Sequence, residues 1–129
     1  MDDRNHFIIE GRLPSLNDYV NANRSHWSRG ALLKKQVEEG ILWQIKSARA
    51  TGRLYPTSEP SIITFEWHES DKRRDLDNIF SAKKFILDAM QKAGIIVNDN
   101  RRYIRGLEDT IFDDDRDFVK VTIYPLSYS

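Results

Sequence analysis

At 129 residues with 40% apolar side chains, the chain is one domain large enough for its own core. Cysteine is absent, which excludes disulfides, thiolate catalysis and Cys-ligated zinc and fits a reducing cytoplasm. Net charge is zero, a weak footprint for a nucleic-acid binder, but it is uneven: residues 106–129 hold two basic and six acidic side chains, so residues 1–105 carry +4.

The first residues, Met1-Asp2-Asp3-Arg4, contain no apolar h-region, so no signal peptide is expected. No apolar run approaches membrane-spanning length, and no membrane partner is expected. His6 to Leu13 alternates loosely and predicts a strand. Pro14-Ser15-Leu16-Asn17-Asp18-Tyr19 breaks it. Residues 21–29 then read as a polar loop in which Arg24, His26, Trp27 and Arg29 interleave basic and aromatic groups. Such a loop suits a nucleic-acid backbone and an unstacked base; the alternative is that Trp27 packs on the core.

Gly30 to Ala50 predicts a helix with Leu33, Val37, Ile41, Gln44/Ile45 and Ala48 along its buried stripe. Gly40 inside it costs about 1 kcal/mol relative to Ala, which suggests close packing there. Residues 51–60 carry turn chemistry in Gly52, Pro56 and Pro60. Ser61 to Glu69 is a strand with Ile63, Phe65 and Trp67 on its core face. Glu66 and His68 point the other way.

The strand runs directly into Lys72-Arg73-Arg74-Asp75-Leu76-Asp77-Asn78. In extended backbone residues two apart face the same way, so Asp75 and Asp77 can converge. Oxygen ligands of this kind suit Mg²⁺, with Mn²⁺ as a substitute. From Asp77 to Ala93 the apolar residues Ile79, Ala82, Ile86, Met90 and Ala93 have helical spacing, with Asp77 as N-cap and Gly94 as C′ residue. On the other face Asp77, Ser81, Lys84 and Asp88 form one polar line. Lys83 projects about 100° off that line. A helix of this length must be followed by a chain that doubles back if Asp99 is to rejoin the aspartate pair.

Tyr103–Phe112 and Phe118–Tyr124 predict two strands. The acidic run Asp113-Asp114-Asp115-Arg116-Asp117 between them lacks the glycine and distal glutamate of an EF-hand loop and reads as a solvated hairpin turn. The expected order is β-α-β-α-β-β, an α+β domain with two long helices on one face of a small mixed or antiparallel sheet.

Arg73-Arg74-Asp75-Leu76-Asp77-Asn78, then Lys84 with Asp88-Ala89-Met90, then Ala93-Gly94 and Asn98-Asp99, resembles the RusA family of Holliday-junction resolvases. Pro14-Ser15 with Asn17 after the first strand is also similar to that family. The resemblance implies a Mg²⁺-dependent endonuclease, working as a homodimer, that cuts branched DNA such as four-way junctions. It implies Asp75, Asp77 and Asp99 as metal ligands and Lys84 as the active-site lysine. The helix is a few residues longer before Asp88-Ala89 than in the family, which leaves Lys83 as the alternative. Asn98-Asp99 supplies one carboxylate where the family often has two. Lys72, Arg73, Arg74, Asn78, Arg24 and Arg29 are the candidate DNA contacts. Two other readings stay open: a metal-dependent nuclease acting on flaps or small phosphoesters, and a non-catalytic DNA-binding module.

Overall fold

A computed structural model describes residues 4–126, so the start read as leader-free, residues 1–3, lies outside the described residues. The elements are β1 (Asn5–Glu10), α1 (Leu16–Ser25), α2 (Trp27–Ala50), β2 (Ser61–Glu69), α3 (Leu76–Phe80), α4 (Lys83–Lys92), β3 (Ile104–Asp113) and β4 (Phe118–Pro125). The fold is α+β with a four-stranded mixed sheet in the order β1-β4-β2-β3. The strand β4 runs antiparallel to β1 and β2, and β2 runs parallel to β3.

Period-two alternation sets the two faces of the sheet. Phe65 of β2 lies opposite Val121 of β4, which lies opposite Phe7 of β1; Ile63 and Trp67 have Ile123 and Val119 as their partners. All are buried in one cluster with Ile41, Ile45 and Ala48 of α2 and Phe85, Ile86 and Met90 of α4. The long helix therefore closes the core over β1 and α4. Gly94, at φ +74°, ends α4 as a C′ glycine. Ile95 N–H reaches Met90 O at 2.9 Å and Gly94 N–H reaches Gln91 O at 3.1 Å, the bond pair of a Schellman turn.

The expected element order needs two corrections. Residues 16–25 form a helix, where a break and a polar loop were expected. Its start is a capping box: Ser15 Oγ accepts from Asp18 N–H at 3.1 Å, and Asp18 accepts from Ser15 N–H at 2.8 Å. Pro14 stands just outside that cap, so it ends the strand without preventing the helix. The second correction divides the helix expected over Asp77–Ala93 into α3 and α4. Ser81 donates to Asn78 O at 2.7 Å and accepts Leu16 N–H at 3.0 Å, so the turn at 81–82 is held by α1. The apolar stripe survives the division, since Ile79, Ala82, Ile86 and Met90 are all buried.

Three smaller expectations also change. The N-cap is Asp75 at φ −69°, ψ 142°, and Asp77 lies in the first turn. The first strand stops at Glu10, because Gly11 turns the chain at φ +90°. Gly40 is not a close-packing site: a Cβ there would meet nothing within 4 Å.

Candidate functional site

The loop after β2 is built around two inward contacts. Arg74 Nη1 donates to Glu69 Oε1 at 2.8 Å, with both side chains largely buried. Ser70 donates through N–H and Oγ to Asp117 Oδ1 at 2.8 and 3.0 Å. The acidic run 113–117 is thus more than a solvated turn: Asp117 pins the loop, and Asp114 Oδ2 lies 2.9 Å from His68 Nδ1. That histidine is stacked between Phe112 and Phe118, at 4.9 and 4.0 Å. Its hydrogen bond holds the Asp114 carboxyl down at about 2.

With Arg74 turned inward, Arg73 is left outside. Its side chain is 92% exposed and, among the described residues, pairs only with Asp71, at 3.1 Å. The hydrogen bond from Arg73 lowers the Asp71 pKa and raises that of Arg73. Arg74, expected to contact phosphate, is instead the partner of a buried carboxylate; Arg73 and Lys72 remain available.

Asp75 and Asp77 line one open depression together with Asn17, Leu76 and Asn78. Asp75 makes no capping bond with its side chain, and among the described residues no hydrogen bond or ion pair engages either carboxylate. Asn17 of α1 donates to Asn78 Oδ1 at 3.0 Å, so the Asn78 carbonyl is spent on fixing α1 to α3. Sequence reasoning missed Asn17 as part of the site. The signal was present in Pro14-Ser15-Leu16-Asn17, but only the folded chain carries that segment across to α3.

The two adjacent lysines at the start of α4 diverge. Lys83 is paired with Asp109 of β3, which also accepts Trp67 Nε1–H at 2.9 Å. Its ammonium lies 5.8 Å from the Phe65 ring centre and 5.9 Å from that of Phe80. Lys84 is exposed, with Asp88 Oδ1 at 3.1 Å and Asp99 Oδ2 at 3.7 Å. Hydrogen bonding to Asp88 raises its pKa, with Asp99 adding to the effect. The expected doubling back is present: after Gly94 the buried Ile95 and Ile96 lead the chain back to Asp99 beside Lys84.

The structure therefore brings Asp75 to Asp77, and Asp99 to Lys84. It does not gather the three aspartates, since among the described residues no three His, Cys, Asp or Glu side chains stand as a metal-holding group. A hard divalent cation that keeps several waters needs only one or two carboxylates beside a substrate phosphate, and the Asp75–Asp77 pair fits that description.

Arg24 and Arg29 flank the corner between α1 and α2, and both are exposed. His26 caps both helices there, ending α1 and accepting Ser28 N–H at 3.2 Å. Trp27 is 73% exposed and, among the described residues, stacks only on His26, so it does not pack on the core. No model of a known protein family matches the chain, and no curated protein matches it. The functional reading therefore rests on the residues themselves.

Proposed function

We propose that the chain is a metal-dependent endodeoxyribonuclease that resolves four-way DNA junctions as a homodimer, in recombination and repair. The observation that carries this reading is the Asp75–Asp77 pair, two uncommitted carboxylates in one open depression. Asp75 and Asp77 would hold Mg²⁺ or Mn²⁺, while Asp99 stands beside Lys84 and outside that pair. Such an ion, when bound, supplies a lowered pKa for an attacking water and stabilises charge on the leaving oxygen.

The chain's own residues supply the rest. Lys84, exposed and cationic between Asp88 and Asp99, donates to the scissile phosphate or its leaving oxygen. Arg73 and Lys72 bind flanking phosphates. The corner holding Arg24, Trp27 and Arg29 meets a more distant part of the backbone, with Trp27 offering its ring face to an unstacked base. Two strands must be cut symmetrically, so a two-fold dimer is the economical architecture.

The test compares a synthetic four-way junction, a flap and a plain duplex, each with and without Mg²⁺. Paired, Mg²⁺-dependent incisions in the junction are expected. Cleavage confined to the flap selects the flap nuclease, and binding without cleavage under every metal selects the non-catalytic module.

A further inference from the structure

The two edges of the sheet are finished differently. At β1 the outer edge is covered: His6 N–H donates to Arg53 O at 3.0 Å. Asn5 clamps Tyr55 through both side-chain atoms, at 2.8 and 2.9 Å. The other edge is β3, ten residues long, which pairs only with β2 among the described residues. An open edge is normally blunted by lysine and other charges, proline, a bulge or a short strand. The sequence of β3, IRGLEDTIFD, is long and has neither lysine nor proline; its bulge is confined to the Arg105 end, and Leu107 and Phe112, on opposite faces, are each 40% accessible.

We infer that a second copy of this chain pairs antiparallel with β3 along its free edge, in a register centred on Asp109. The occupant follows from the self-complementarity of the strand. A two-fold axis normal to the sheet must pair residues of the same parity, because opposite residues share a face. Centred on Asp109, the pairing sets Leu107 against Ile111 of the second copy, and Phe112 against Gly106. It brings Arg105 to Asp113 at each end. Shifting the centre by one residue in either direction loses both the apolar pair and the ion pair. Asp109 meets its own copy at the axis, but each Asp109 is already paired with Lys83 and holds Trp67 Nε1–H. The β-bulge opposite Ser61/Ile62 leaves Arg105 as an extra residue at the end of the ladder, where a long side chain reaches a rim partner. Phe112 already stacks on His68, so the ring set over the partner's glycine is pre-positioned.

The result is one continuous eight-stranded sheet with both helical layers, and hence both candidate sites, on the same side. This surface rests on the two-copy reading of the proposed function, but it does not depend on nuclease chemistry and is tested without DNA. Sedimentation equilibrium of the full chain is measured for wild type, Arg105→Asp, Asp113→Arg and the double exchange, with circular dichroism confirming that each is folded. Each single change sets like charges opposite one another at both ends of the ladder and should weaken the dimer about tenfold or more, with the double exchange restoring it. A second reading uses the absence of native cysteine: E108C/T110C should yield a covalent dimer on oxidation, because the register places 108 opposite 110. A wild-type dimer whose affinity ignores all three charge variants, and which does not cross-link, overturns the β3 surface and leaves the two-copy reading standing. A wild type that is monomeric throughout overturns both.

Discussion

Arg73 and Arg74, at the end of the loop after β2, and Lys83 and Lys84, at the start of α4, are two pairs of neighbouring like cations. In each pair one member is turned inward onto a carboxylate of the sheet, Arg74 onto Glu69 and Lys83 onto Asp109. The other stays in solvent, Arg73 at 92% and Lys84 at 59% side-chain exposure. The difference teaches that a cation's role here is set by where its partner carboxylate sits. Glu69 ends β2 and Asp109 faces the helices from β3, so both hold the scaffold. Asp71, Asp88 and Asp99 lie at the surface, so the cations beside them can be drawn to phosphate.

The sharpest test of that division is kinetic. Lys84→Ala is expected to lower single-turnover cleavage of a four-way junction by about 10²–10³, with folding stability changed by less than about 0.5 kcal/mol. Equal loss of activity in a folded Lys83→Ala protein would break the comparison.

The inward members should show the converse. Lys83→Ala and Arg74→Ala each strand a largely buried carboxylate and remove a charged hydrogen bond. Each is expected to lower stability by about 1.5–3 kcal/mol in urea unfolding. A value near zero for Arg74→Ala would mean that its contact with Glu69 does not hold the loop.

Arg73→Ala is a smaller effect of a different kind. Junction binding should weaken uniformly across sequences, and the slope of log affinity against log salt should fall by about 1. An unchanged slope would remove Arg73 from the phosphate contacts.

The smallest effect concerns Asp114, whose carboxyl is held at about 2 by His68 against an ordinary 3.8. A lowered folded-state value means stability that is complete above about pH 4 and is lost as the pH falls through about 2. Asp114→Asn should flatten that part of the acid unfolding curve by removing the stabilisation at every pH above it, so the variant is less stable in the neutral range and converges on wild type near pH 2.

Local pattern determined much of this protein. The alternation in Ser61–Glu69 and Phe118–Tyr124 and the stripe Ile79, Ala82, Ile86 and Met90 follow from side-chain direction along one segment, and all are buried as their period requires. Gly94 as the helix end and Asp75 with Asp77 on one depression were equally local. Tertiary structure decided the rest. The break at Ser81 depends on Leu16, which is 65 residues away along the chain. The inward turn of Arg74 depends on the burial of Glu69, and the separation of Lys83 from Lys84 depends on Asp109 arriving from an edge strand that runs parallel to β2. Periodicity reports which way a side chain faces; which group waits there is set by the long-range packing of other elements, and no local pattern contains it.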